Sequence, residues 1–440
     1  MKKHITTLAF LSLLATATVS CDRYLDVTPV GKAIPTTAED FRAVLTRAYN
    51  LYPTHRAILT SRTDETILNA DSDEAVDYKD FHLWNDNSLD AASITMPYAQ
   101  FYSVIFYTNH IITEGANNMP NGTEKNQILG EAYALRALSN FELVNIYAPT
   151  YNSANASLPA IPLVEEINLE KTYPKASVQE VYNAILADLS KAKSLISTDT
   201  QSGETLYRFS EVSVKALEAR VYLYMNNWQK ALELANEVLA YNSSLEDFNN
   251  YSVLPSSYKS VEAIMNLDNN LTSQTQRVYR ASQSHIDLFD QTNDLRFAKY
   301  FTSTSAGYRS TKFASSNEVK SSFRVGEILL LKAEAQAKLN DEAASKETLL
   351  TLAIKRYNAT GYTNFSTKIS SLSGNDYLTE LYNERARELS FEGLRWYDLR
   401  RTTQPSISHE FSGTTSTLLQ NDPRYTLPFP ISAKLKNPLL

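Results

Sequence analysis

Two stretches of this chain, far apart in the sequence, carry the same helical plan. "SEVSVKALEARVYLYMNNWQKALELANEVLAY" runs from Ser210 to Tyr241, and "RVGEILLLKAEAQAKLNDEAASKETLLTLAIKRY" runs from Arg324 to Tyr357. Laying Ala219 on Ala333 also lays Leu217 on Leu331, Leu223 on Ala337 and Asn226 on Asn340. Each stretch predicts two helices, with turns at Asn226-Asn227 and Asn340-Asp341. Ala219, Tyr222 and Ala231 occupy the small, aromatic and small positions of a tetratricopeptide repeat. The second copy departs from this, with Gln336 in the aromatic slot and its small residues at Ala343 and Ala344. The copies are not tandem, so the pattern predicts separate helix pairs wrapped by loops rather than a solenoid.

The rest of the chain agrees with a mainly helical, all-α class. From Ile128, "ILGEAYALRALSNFELVNIYA" puts Ala134, Ala137, Phe141, Val144 and Ala148 on one face before Pro149 stops it. Ser177 and Glu180 form a capping box ahead of the next amphipathic run. Glycine is scarce, at 11 in 440 residues, which weighs against a fold built on glycine turns. The expected loop regions are 54–95, 149–176, 199–208, 243–320 and 402–440. No Gly/Ser tract, Pro-rich run or charge block divides them, so residues 21–440 are expected to form one domain with ligand-binding loops.

Residues 1–20 read as a secretory leader: Lys2 and Lys3, a mildly apolar stretch from Ile5 to Val19, then small residues. That stretch is shorter than the ~20 residues a bilayer span needs. Cys21, the one cysteine in the sequence, follows Val19-Ser20 as in a lipobox, with Thr18 where leucine is usual. The expectation is cleavage before Cys21 and acylation of its sulfur, leaving lipid as the membrane anchor. Loss of the two lysines takes the formal charge from −7 to −9. A chain this acidic, with no long basic run, is not expected to bind nucleic acid.

Motifs for catalysis are missing. His4, His55, His82, His110, His285 and His409 show no HExxH or i, i+4 pairing, and no cysteine partner exists for a zinc site. Nucleophile elbows, dinucleotide fingerprints and phosphate loops are absent. "NADSDEAVD" lacks the glycine and final glutamate of an EF-hand loop. No metal or cofactor is therefore expected. A carboxylate pair of the glycosidase kind stays open, because 49 acidic residues cannot be sorted by sequence.

"NERARELSFEGLRWYDLRR", from Asn383 to Arg401, is the densest charged segment, with five arginines against four acids. As a continuous helix it would align Glu384, Glu388 and Glu392, with Arg395 one turn beyond. Leu389, Phe391 and Trp396 make its surroundings partly apolar, so those charges, Asp398 among them, have to be paired. The segment reads as an ion-pair network fastening a C-terminal helix to the core.

It also resembles the C-terminal signature of the SusD/RagB family of Bacteroidetes outer-membrane lipoproteins. "CDRYLDVTPVGKAIPTTAEDFRAVLTRAYNLY" resembles the family's mature N-terminus, and "GEAYALRALSNFELVNIYA" its second helix. "DLFDQTNDLRFAKYF", "FRVGEILLLKAEAQAKLN" and the closing "LPFPISAKLKNPLL" follow in order. The resemblance implies a non-catalytic, tetratricopeptide-like helical protein at the outer surface of the outer membrane. It implies a SusC/RagA-type TonB-dependent transporter barrel as partner, and glycans, or in some members peptides, as ligand. A secreted hydrolase is the more distant alternative.

Sugar recognition uses aromatic faces framed by amides and acids. Trp84, in "YKDFHLWNDN" beside Asn85, Asp86 and Asn87, is the candidate platform, the alternative being a loop tryptophan packed against the helices, with Asp64 and Glu65 as candidate hydrogen-bonding groups nearby. Starch-binding relatives use this early loop and a second one past the middle, which here implies Tyr279, Arg280 and Tyr300.

Overall fold

The computed structural model describes residues 35–88, 90–168, 170–250, 253–312 and 320–440. Cys21 and the leader lie outside the described residues. The longer helices are α1 (Ala38–Asn50), α2 (Tyr98–His110), α3 (Thr123–Tyr147), α4 (Val178–Leu195), α5 (Glu211–Tyr224), α6 (Trp228–Tyr241), α7 (Val325–Lys338), α8 (Glu342–Ala353), α9 (Ala359–Ser371) and α10 (Gly374–Glu388). Strand content among the described residues is limited to two-stranded antiparallel ribbons.

The local signals operate as chemistry predicts. The Ser177 hydroxyl accepts from the Glu180 N–H at 3.2 Å, while the Glu180 carboxylate accepts from the Ser177 N–H at 2.7 Å. Helix α3 starts at Thr123, ahead of the expected Ile128, and ends just before Pro149. It is buried almost all round because α1, α2 and α4 pack about it.

The two helix pairs share a turn. Asn226 and Asn340 both take the left-handed conformation, at φ 58° and 64°. In each, the next N–H reaches back to the chain, Asn227 to the Tyr222 carbonyl and Asp341 to the Gln336 carbonyl, both at 2.9 Å. The side chains of Asn227 and Asp341 then cap α6 and α8. Ala219, Ala231 and Ala333 are fully buried where the helices meet, and α6 packs on α7 to join the pairs.

Several expected loop regions carry more structure than the sequence suggested, 402–440 among them with a hairpin (Ile407–Phe411 against Thr414–Leu418) and a helix (Ile431–Lys436). Residues 54–95 and 243–320 hold short helices (His55–Leu59, Ala75–His82, Ser273–Val278, Leu295–Tyr300). A ribbon ties the regions together, pairing Thr66 with Ala281 and Leu68 with Tyr279.

The charged signature is not one helix. Helix α10 ends at Glu388, the chain turns through Phe391 (φ 57°) and Gly393 (φ 71°), and a new helix spans Arg395–Arg401. A Cβ on Gly393 would overlap the Arg56 side chain, so the turn depends on glycine both for its φ and for that contact. Glu392 therefore leaves the Glu384–Glu388 face, and Arg395 pairs with Asp64 (2.7 Å) instead.

Below this turn lies a buried ionic lattice. Glu388 receives Arg324 (2.7 Å), Arg356 (2.9 Å) and Arg296 (3.1 Å). Glu384 pairs with Arg296 and Arg387, Glu392 with Lys312 and Arg324, and Glu262 with Arg324 and Arg356. Surrounding arginines, Arg356 first, hold the Glu388 carboxyl well below its usual range against the cost of burial. Lys312 and Arg324 also donate to the Glu388 carbonyl, placing cations at the C-terminus of α10. Nearby, Asp398 joins Arg385 and Arg401, and Trp396 stacks on Tyr425 at 5.1 Å.

Candidate functional site

The expected aromatic platform is closed. Trp84 is 1% exposed, its ring lying 4.2 Å from His409, which stacks 3.8 Å from His82. The His409 ring nitrogens lie 2.8 and 2.9 Å from the His82 and Thr63 carbonyls, which locks the stack. No face of Trp84 is free for a sugar, so the expected role is corrected to packing. Tyr279 and Tyr300 are corrected in the same way: both are buried, and the Tyr279 hydroxyl donates to the Ala57 carbonyl at 3.0 Å. The Lys312 ammonium sits 3.7 Å from the centre of the Tyr300 ring. Arg280 is also buried, its guanidinium donating to backbone carbonyls. Asp64 is committed to Arg395, and burial pushes the Glu65 carboxyl up to about 8.

Asn85 and Asn87 are exposed, and they do line a cavity. It measures about 390 Å³ and is bounded by Asp80, Ser88, Tyr147, Phe429 and Lys434. A larger cavity of about 730 Å³ adjoins it, sharing Thr95, Met96, Pro430 and Ser432. Its wall carries Tyr98, Tyr102, Phe106, Tyr107 and Tyr173, with Gln100, Lys171, Lys436 and Asn437 around them. The two form one groove, and its aromatic content was missed in the sequence.

Three parts of the chain build this groove. Helix α2 buries Phe101, Val104, Ile105 and Thr108, which leaves Tyr98, Tyr102 and Phe106 as a partly open stripe at i, i+4, i+8. That spacing was the available sequence signal. The segment after α3 lies against α2: the Tyr102 hydroxyl donates to the Pro162 carbonyl at 2.9 Å, and the Asn109 amide to the Val164 carbonyl at 2.8 Å. The loop beyond brings up Lys171 and Tyr173. A C-terminal helix, Ile431–Lys436, closes the third side, and the Asn437 amide donates to the Tyr173 carbonyl at 2.8 Å. Phe429 stacks on Tyr147 at 5.2 Å, anchoring that segment.

The charged signature reaches the groove through Arg400. This buried guanidinium meets no carboxylate among the described residues. It donates to the Asn145 carbonyl in the last turn of α3, to the Ala148 carbonyl just beyond that helix, and to the Tyr425 carbonyl at 2.7 Å. Burial lowers its pKa to about 10, leaving it cationic at neutral pH. It thereby caps α3 and holds the segment leading to Phe429.

Two other clusters carry reactive side chains but are sealed. His285 Nε2 lies 2.5 Å from the Ser390 hydroxyl, yet both residues are buried and burial lowers His285 to about 3. Asp64, the acid whose charge acts on His285, is held by Arg395. His55, Glu142 and Asp268 bring ligand atoms within 4.8 Å of one another, a grouping the sequence did not suggest. Arg56 already spans both carboxylates at 2.8 and 3.3 Å, and the Tyr397 hydroxyl donates to Glu142. The trio reads as another part of the ionic scaffold.

Comparison with known proteins places these features in a family. A family model described as "Starch-binding associating with outer membrane" matches residues 23–223, and the SusD family model matches residues 241–426. SusD-like protein P38 of Formosa agariphila is 26% identical over 251 residues, which spans 53% of this chain and 45% of that protein. A SusD-superfamily protein from Bacteroides fragilis superposes with a TM-score of 0.77 at 23% identity, covering 93% of this chain and all of that one. A laminarin-binding SusD-like protein superposes with a TM-score of 0.62 at 19% identity, covering 91% and 97%. No helix among the described residues is long and apolar enough to cross a membrane.

Proposed function

This chain belongs to the SusD/RagB family, and from that premise we propose that it is a non-catalytic receptor. It captures nutrient glycans in the groove between α2 and the C-terminal helix. Cys21 carries the lipid that holds it to the outer membrane, facing outward. The captured glycan passes to a SusC/RagA-type TonB-dependent transporter barrel. Residues 21–440 act in this as one domain.

The observation that carries the reading is the groove itself. It presents Tyr98, Tyr102, Phe106 and Tyr173 beside the amides of Gln100, Asn85 and Asn87, the pairing of ring faces and hydrogen-bonding groups that a pyranose needs. Its larger cavity falls within the usual range for ligand sites, roughly 300–1,000 Å³. The laminarin-binding relative supports a glycan as ligand class.

The test is calorimetric titration of the chain from Asp22 onward with soluble oligosaccharides and, separately, a mixed peptide digest. Saturable heat with a sugar class and none with peptides is the expected result. Heat with peptides alone would assign the groove to peptide uptake. Turnover of any sugar by the purified protein would reopen the hydrolase alternative.

A further inference from the structure

The two halves of the groove differ in charge. Two lysines, Lys171 and Lys436, line the larger cavity with no aspartate or glutamate side chain, and the one carboxylate there is that of the final residue, Leu440. The smaller cavity is lined by Asp80, Asp86 and Asp90 with Lys434. Lys434 and Lys436 lie two residues apart on the C-terminal helix, one lining each cavity. This separation occurs in a chain whose net charge is −7.

The lysines and acids also differ in how far they are committed. Asp80 accepts from the Ser88 and Ser93 hydroxyls and the Asn85 amide, and Asp86 pairs with Arg62 at 2.5 Å. These acids organise their loop. Lys436 is exposed and has no carboxylate partner among the described residues. Lys171 pairs with Glu166 at 2.5 Å, but both side chains are half exposed (50% and 52%), so the pair is weakly held and open to exchange. The Tyr173 hydroxyl donates to that same Glu166 at 3.1 Å, which places ring and cation side by side.

Resting on the reading of the groove as a glycan site, we propose that the larger cavity selects an anionic sugar unit, bearing a carboxylate or a sulfate ester. The Tyr-lined wall takes its ring, and Lys171 and Lys436 take its charge. The smaller cavity takes a neutral neighbouring unit, bonded by Asn85 and Asn87. Glu166 competes with the ligand for Lys171 and sets a threshold on binding.

The experiment titrates the mature protein with tetragalacturonate, a sulfated carrageenan tetrasaccharide and neutral laminaritetraose. One or both anionic probes should bind at least about tenfold tighter than the neutral one, and which of them binds distinguishes carboxylate from sulfate. Lys436→Gln should weaken that binding roughly two- to fivefold, the size of one exposed ion pair. Glu166→Gln should tighten it by a similar factor, and raising salt from about 0.05 to 0.5 M should weaken it. Tight binding of laminaritetraose, lost in Tyr173→Ala but unchanged in Lys436→Gln, would overturn the charge selectivity and leave the glycan groove standing. Anionic binding indifferent to Lys171→Gln, Lys436→Gln and salt would overturn the assignment of those residues. Silence from all three probes would count against the inference and against the glycan reading beneath it.

Discussion

Around Glu388, three guanidiniums converge on one carboxylate at 2.7–3.1 Å in a space closed to solvent. At the groove, Lys171 and Lys436 line an open cavity, and Lys436 has no carboxylate partner among the described residues. The first region spends its charges on one another. Desolvation makes any unpaired member costly there, so each ion fixes the position of the next. The second keeps Lys436 without a carboxylate partner among the described residues, holds Lys171 only through the half-exposed Glu166, and leaves its ring faces partly open. A dense ionisable cluster therefore marks scaffold in this molecule, and the proposed ligand surface is marked instead by Tyr98, Tyr102 and Phe106 along one helix.

Substitutions that break one region and spare the other sharpen this contrast. Glu388→Ala leaves Arg296, Arg324 and Arg356 facing each other without their shared counter-ion. A loss of about 5 kcal/mol is expected, read as a large fall in the urea midpoint or as failure to fold. Trp84→Ala opens a cavity beside His409 and should cost about 3 kcal/mol, while the folded fraction binds ligand as the parent does. Loss of affinity without loss of stability would return Trp84 to the binding surface.

Glu65 offers a separate test, on pH. Its folded pKa is raised to about 8 by burial, against 4.5 for a free carboxyl. Its contribution to stability is therefore complete below pH 4.5 and is lost as pH rises through about 8. Depressed carboxylates such as Glu388 and Glu392 act in the opposite direction, losing their stabilisation as pH falls below the ordinary range. Glu65→Gln should flatten the decline between about pH 4.5 and pH 8, a difference on the order of 5 kcal/mol in chemical denaturation. Parallel pH profiles for variant and parent would show that Glu65 is ionised throughout.

What the sequence made legible was local. The turns at Asn226 and Asn340 and the Ser177 capping box depend on neighbours within five residues, so period and cap chemistry sufficed to find them. The break after Glu388 depends on Gly393 meeting Arg56, and no helical period reports a contact between such distant positions. Trp84 misled for the same reason. Its neighbours Asn85, Asp86 and Asn87 are polar, but its burial is set by His409 from the far end of the chain. The Tyr98–Tyr102–Phe106 stripe was readable as a partly open helix face. Its partners Tyr173, Phe429 and Lys436 join it only through the fold.

The most direct test of the account is Tyr173→Ala, comparing its thermal midpoint and its oligosaccharide affinity with the parent's. Tyr173 is half-buried, and its hydroxyl bonds only the exposed Glu166, so little stability rests on it. The account predicts a midpoint within about 1–2 °C of the parent. It also predicts an affinity reduced about tenfold, equivalent to ~1.4 kcal/mol. An unchanged affinity with an unchanged midpoint would contradict it and move the ligand to another face of the molecule.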